Sequence, residues 1–189
     1  MATKISNFLI IVSLLILFFI FYPVTKEEAK YQINKIIVKE EELIPPNKDF
    51  AIIIPKIRAV APIIENVDPY NKNKFLPALK KGVAHAKGTS LPDEFGNVYL
   101  FAHSTDAFYN VGRYNAVFYL IGKLEKDDEI KIYFNNIEYY YRVMEKKVVN
   151  ANDSDYLTQE TNEKILTLQT CYPPGTTLKR LVVIAKLDK

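Results

Sequence analysis

Short runs of apolar residues alternate with turn-forming residues along most of the chain, a pattern typical of β-strands. The predicted strands lie at 51–54, 59–61, 97–101, 129–134, 137–143, 165–170 and 180–185. Asn135 and Asn136 can form the turn of a hairpin between two of them. Short helices are predicted at 74–81 and near 153–157. Many short strands separated by turns indicate a β-sandwich or a closed barrel.

The first part of the chain has a different pattern, because residues 8–22 carry no charge and are almost entirely apolar. With its apolar flanks, this run approaches the roughly 17 to 20 residues that cross a bilayer as a helix. A cleaved signal peptide is the alternative, but the run ends in aromatic residues and proline instead of the small residues of a cleavage site. We therefore expect residues 1–25 to be an uncleaved signal anchor with one transmembrane helix.

The segment after this run is rich in Lys and Glu and closes with Pro45 and Pro46, which stop any helix. It is predicted to be a stalk over residues 26–49, followed by one domain over residues 50–189. That domain is long enough to bury a substantial core. The amino terminus and Lys4 on one side of the apolar run give weak support for an inside amino terminus.

Charge adds little to this picture. The formal net charge is +3, and the basic residues are spread along the chain without a block that would indicate a nucleic-acid partner.

The candidate chemistry centres on Cys171, the single cysteine of the chain. Arg180 follows it by nine positions, and His103 comes directly after an earlier predicted strand. The thiolate is the attacking form of a cysteine, so a nucleophilic cysteine needs a cation or a base beside it. His103 can be either, and the planar guanidinium of Arg180 can donate to a carbonyl oxygen. The alternative is that Cys171 is an inert, buried small residue.

These residues stand in recognisable motifs. The sequence TLQTC at 167–171, with Arg180 nine positions later and Ala102-His103-Ser104 earlier, resembles the sortases, the cysteine transpeptidases of bacterial cell surfaces. Further landmarks of the family follow in family order, at 54–57, 61–63, 82–89 and 96–97. The resemblance covers roughly residue 50 to the end.

The resemblance implies a mostly β fold, an eight-stranded closed barrel with short helices. His103, Cys171 and Arg180 would be the catalytic residues around one groove. Among the residues expected to bind substrate, Thr170 would position the peptide backbone and the backbone N–H of Tyr172 would help to stabilise the oxyanion. His85 is expected at a groove-side or a structural position, and we assign it to the substrate-binding group.

The resemblance also implies the reaction and the partners. An LPXTG-like sorting signal of a surface protein would be cleaved through a thioester and passed to an amine, such as a cell-wall precursor or a pilin lysine. The enzyme would be a single-pass protein of the cell membrane with its catalytic domain outside. No cofactor and no metal site is expected, with activation by calcium left open.

The subclass and the reaction type each have alternatives. Thr170 before the cysteine and the proline-rich loop after it are similar to the corresponding residues of class A, D or E sortases. The sequence shows no carboxy-terminal membrane helix, which argues against class C. A cysteine peptidase could use the same three residues. A transpeptidase that remodels peptidoglycan would carry an arginine beside its thiol, which Cys171 does not have. A membrane-tethered binding module with an inert cysteine is the alternative from another functional class.

Overall fold

The computed structural model describes residues 42–104, 114, 116–158 and 161–188, and scattered helical positions between 7 and 33. Only scattered positions of the predicted signal anchor and of the first part of the predicted stalk are described, so both remain predictions. Within the described part of the chain, no helix is both long enough and apolar enough to cross a membrane.

The described residues form eight strands and a few short helices. The strands are β1 (Phe50–Ile54), β2 (Ala59–Val67), β3 (Val83–Ala86), β4 (Gly96–Phe101), β5 (Glu129–Phe134), β6 (Ile137–Asn150), β7 (Lys164–Tyr172) and β8 (Lys179–Leu187). The helices are α1 (Lys72–Leu79) and α2 (Asp155–Thr158), with 3-10 turns at Pro55–Ile57 and Tyr119–Lys123. The strands close into a barrel in the order β1-β2-β3-β4-β7-β8-β6-β5, which confirms the predicted eight-stranded closed barrel.

The hairpin between β5 and β6 turns at the two asparagines that the sequence indicated. Asn135 has φ 50° and Asn136 has φ 66°, so both lie in the left-handed region. Asparagine tolerates this region better than most residues, which explains how a tight turn forms here without glycine. Phe134 pairs directly with Ile137 across the turn.

Strand β3 was not predicted as a strand. Its residues Val83, Ala84, His85 and Ala86 are all buried, so the segment shows none of the apolar and polar alternation of a half-exposed strand. β3 pairs parallel with β2 and antiparallel with β4. A Cβ on Gly82 would lie 2.2 Å from the backbone oxygen of Pro62, so only glycine fits where the chain enters β3.

Three neighbouring strands of the barrel carry the candidate site. β4 pairs parallel with β7, and β7 pairs antiparallel with β8. The carboxyl ends of β4 and β7 therefore meet the amino end of β8 at one rim. Inside the barrel, fully buried leucines such as Leu100, Leu166 and Leu168 hold these strands to the common core.

Candidate active site

Cys171 and Arg180 lie directly opposite each other on two paired strands. Cys171 of β7 pairs with Arg180 of β8 in the antiparallel ladder. Residues opposed in this way project to the same face of a sheet, with Cβ atoms about 4.5 to 5.5 Å apart. Both residues are half-buried. The thiol and the guanidinium therefore share one partly open surface.

His103 reaches the same rim from β4. The parallel ladder of β4 and β7 ends with Phe101 opposite Gln169, and the N–H of Ala102 donates to the oxygen of Gln169 at 3.1 Å. His103 follows the end of β4 by two residues, and Cys171 follows Gln169 by two residues on β7. Since side chains alternate with a period of two, His103 follows Phe101 to the face that carries the thiol. The half-buried His103 thus lies at the rim that carries the thiol and the guanidinium.

The site lies on the outer face of the barrel. Along β7, Leu166, Leu168 and Thr170 point to the interior and are buried. The alternate residues point outward, and the first of them, Ile165, is covered by Tyr156 of α2. The next outward residue, Thr167, is also buried, whereas the last two, Gln169 and Cys171, are half-exposed. The outer face is therefore open to a ligand at its end, beside the thiol.

The hydroxyl of Thr170 ties the two strands together next to the site. Thr170 is 2% exposed, and its Oγ1 donates to the backbone oxygen of Ala102 at 2.9 Å. This bond joins the residue before Cys171 to the residue before His103. The predicted substrate-binding residue Thr170 is thus placed inside the barrel wall, where it links the neighbours of the two candidate catalytic residues.

Arg180 is held by the loop that precedes β8. Its Nη1 donates to the backbone oxygens of Thr177 and Lys179, at 3.1 and 3.0 Å. The other N–H groups of the guanidinium have no hydrogen-bond partner among the described residues. Because the fork is planar and anchored on one side, it can present these donors to a substrate oxygen.

Tyr172 follows the thiol and is 38% exposed, so it lies at the open end of the site. Its Cα pairs with Lys179 at the last step of the β7–β8 ladder. The structure therefore brings Tyr172 together with the three predicted catalytic residues at the same rim.

His85 lies apart from this group. It is 3% exposed, and its ring packs against Phe50 at a centroid distance of 5.8 Å. Nε2 lies 3.1 Å from the backbone oxygen of Ser90, and Nδ1 accepts from the N–H of Asn66 at 3.4 Å. Burial lowers the pKa of His85 below its usual value, which favours the neutral ring. This placement supports the structural position of the two that the sequence allowed, and it offers no ring nitrogen to the groove.

One polar pair on the outer face of β4 and β7 was not predicted from the sequence. The hydroxyl of Tyr99 in β4 donates to Oε1 of Gln169 in β7. Both side chains lie on the outer face, Gln169 two residues before Cys171 and Tyr99 four residues before His103. The middle position of the TLQTC motif was the available signal, because period-two alternation places Gln169 on the face of Cys171.

No group of three or more His, Cys, Asp or Glu side chains with metal-binding geometry occurs among the described residues.

Comparison with known proteins agrees with this geometry. The family model described as the sortase domain matches residues 52–188. Sortase D of Bacillus subtilis (strain 168) is 32% identical over 136 residues, a match that spans 70% of this chain and 60% of that relative's length.

Solved structures share the fold over most of the chain. A Clostridium perfringens sortase D5 transpeptidase has 29% identity and a TM-score of 0.61, with 86% of this chain and 89% of that chain covered. Sortase A from Corynebacterium diphtheriae has 25% identity and a TM-score of 0.62, with 79% and 63% covered. The barrel, the motif residues and the matched family domain together lead to one conclusion: the chain belongs to the sortase family.

Proposed function

We propose that this chain is a cysteine transpeptidase that cleaves an LPXTG-like sorting signal and transfers the surface protein to an amine acceptor. Sortases are cysteine transpeptidases as a family, and this chain shares their domain. The observation that carries the proposal is the direct pairing of Cys171 with Arg180 at the rim where β4 delivers His103. These are the three groups that acyl transfer through a thioester requires.

The first step forms a covalent bond between enzyme and peptide. The thiolate of Cys171 attacks the carbonyl carbon of the scissile bond, and a C–S bond forms while negative charge moves to the oxygen. Arg180 donates to this oxyanion with the N–H groups that the loop leaves open, and the backbone N–H of Tyr172 is our second proposed donor. One such fixed donor contributes about 3 to 4 kcal/mol to transition-state stabilisation in other enzymes.

The following steps transfer a proton twice and replace the scissile C–N bond with a new one. His103, as imidazolium, protonates the departing amine while the C–N bond breaks, which leaves a thioester on Cys171. An acceptor amine then attacks the thioester and gives a proton to His103. A new C–N bond forms, the C–S bond breaks and the thiolate returns. A cell-wall precursor or a pilin lysine would supply this amine, and attack by water would give hydrolysis instead.

The proposal places the reaction outside the cytoplasm. The apolar run at 8–22 would anchor the chain with its amino terminus inside, residues 26–49 would form the stalk, and residues 50–189 would form the catalytic domain. Protease added to intact cells should then digest the catalytic domain. Protection of the domain until the cells are lysed would reject this topology.

The test of the reaction uses the full chain, a set of LPXTG-like peptides, and triglycine as the amine. We expect a thioester adduct on Cys171 by mass spectrometry, and an amide product that appears only with triglycine. Cys171→Ala should form no adduct. Arg180→Lys keeps the charge but loses the planar fork, and we expect kcat/KM to fall by about 100-fold.

The outcomes separate this proposal from its alternatives. Cleavage that is undiminished but gives no amine adduct would identify a cysteine peptidase. If Cys171 forms no adduct with any peptide and also resists a methanethiosulfonate reagent, the inert binding module would be the correct reading.

A further inference from the structure

Gln169 and Tyr99 form a hydrogen-bonded pair beside the thiol. Gln169 is half-buried, and it lies two positions before Cys171 on the same face of β7. Tyr99 is 3% exposed, and its hydroxyl donates to Oε1 of Gln169. Desolvation of the phenol raises the pKa of Tyr99 well above its usual value, so the hydroxyl stays protonated at physiological pH. It therefore remains a donor to the carboxamide.

This bond decides which side of the carboxamide is available. An unrestrained glutamine can rotate to offer a peptide either its oxygen or its NH2 group. Here the oxygen of Gln169 is taken by Tyr99, while Nε2 has no hydrogen-bond partner among the described residues. The pair thus presents N–H donors beside the thiol, and the orientation is set before any peptide binds.

The position of Gln169 relates it to a particular part of the peptide. Two residues of a strand span about 6.6 Å, the length that two residues of an extended peptide also span. Past Cys171, the chain from Tyr172 into the following loop is exposed, so the leaving amine and the incoming acceptor have open access there. The acyl part of the peptide then lies over Gln169.

Desolvation is the largest cause of the raised pKa of Tyr99. Arg180 lowers this pKa, whereas Tyr70, in the loop before α1, and Asp153, in the loop before α2, raise it further, so both loops lie near the pair. Phe75 of α1 also contacts Phe101 of β4 at a centroid distance of 6.3 Å. A peptide side chain that packs onto this half-buried pair loses water, and an unmatched hydrogen-bonding group there is costly.

We infer that Gln169, oriented by Tyr99, is a specificity-determining residue that selects peptides with a hydrogen-bond acceptor in the side chain one or two residues before the acylated residue. This inference rests on the proposed function for the placement of the peptide. Side chains of Asn and Asp meet the requirement, whereas Leu, of similar shape, leaves the N–H donors of Gln169 unpaired.

Peptide binding tests the inference apart from catalysis. The full chain with Cys171→Ala is titrated with fluorescent LPXTG-like peptides that carry Asn, Asp or Leu at each of the two positions. We expect Asn to bind about five- to tenfold more tightly than Leu at one of them, as one added hydrogen bond would give. The neutral pair Asn and Leu is the measure, because the nearby charge of Arg180 can favour Asp on its own.

Two variants remove the proposed determinant in different ways. Gln169→Leu eliminates the donors, and the ratio of Asn to Leu affinity should fall to about one. Tyr99→Phe removes only the hydroxyl that orients the carboxamide, and the ratio should fall to an intermediate value. Tyr140→Phe is the matched control, since it removes an exposed tyrosine hydroxyl that bonds Glu138 on β6, and its ratio should equal that of the parent.

The inference is overturned if the ratio is the same with Gln and with Leu at position 169, or if none of these peptides binds. Acyl transfer is measured separately with the intact thiol and the same peptides. A binding ratio that depends on Gln169 without any transfer would support the inference and reject the proposed reaction. If acyl transfer occurs but Gln169→Leu does not change the ratio of Asn to Leu affinity, the proposed reaction is supported and the inference is rejected.

Discussion

Replacing Thr170 by Val tests whether one buried hydroxyl holds the reactive side chains in place. Valine keeps the shape of threonine and removes the bond from Oγ1 to the backbone oxygen of Ala102, 2.9 Å long in the wild type. Ala102 is 6% exposed, so water cannot readily replace the lost donor. The two strands would lose a direct link between the neighbours of Cys171 and His103.

The expected effects follow from that geometry. A lost buried hydrogen bond that leaves its acceptor unpaired costs about 1 to 3 kcal/mol of the free energy of unfolding. For a chain of this size, each kcal/mol lowers the melting temperature by about 2 to 4 °C. The reaction of Cys171 with a small methanethiosulfonate reagent should slow by about tenfold or more, because small displacements of paired reacting groups have large effects on rate.

Thr167→Val is the matched control for this experiment. Thr167 is fully buried on the same strand, and its Oγ1 donates to Oδ1 of Asn97 at 2.8 Å, away from the thiol. The control should lose similar stability and keep a wild-type rate of thiol modification. If Thr170→Val and Thr167→Val slow the modification of Cys171 equally, or if neither variant slows it, Thr170 does not position Cys171 and His103.

Two further predictions concern His85 in β3 and the glycines that flank this strand. Because burial lowers the pKa of His85 from 6.5, the unfolded chain binds the proton more readily, so stability should fall as the pH drops below about 6.5. His85→Gln should therefore lose less stability than the wild type between pH 7.5 and pH 5.5 in denaturant titrations, and equal losses would contradict this role. Gly82→Ala should lower the melting temperature more than Gly88→Ala, because its Cβ meets the oxygen of Pro62 at 2.2 Å. At Gly88 the new Cβ meets nothing within 4 Å, and only the strain of a side chain at φ +84° opposes the substitution. An equal or larger fall in melting temperature for Gly88→Ala would therefore refute the steric argument.

Much of the barrel could be predicted from the sequence because its strands carry local signals. Alternation and turn residues indicated β5 and β6 and the asparagine turn between them. β3 was missed because four consecutive buried residues carry no period. Its place depends on pairing with β2 and β4, which local pattern does not encode.

The candidate site divides in the same way. The antiparallel pairing of Cys171 with Arg180 could be predicted, since both residues lie at the ends of consecutive strands joined by a short loop. The parallel pairing of β4 with β7 joins segments about 70 positions apart, and without it the partners of Thr170 and Gln169 could not be inferred. The burial of His85 likewise depends on Phe50 and on a loop that the motif does not contain.

The period of β7 gives each residue of the TLQTC motif its role. Leu168 and Thr170 point inward, where one fills the core and the other fixes the spacing of β4 and β7. Gln169 and Cys171 point outward, where a peptide can reach them. A shift of one residue in register would bury the thiol and expose Thr170, because successive side chains alternate between faces. The buried Thr170 bond adds to the two strand ladders that hold this register, on which the proposed chemistry of the outer face depends.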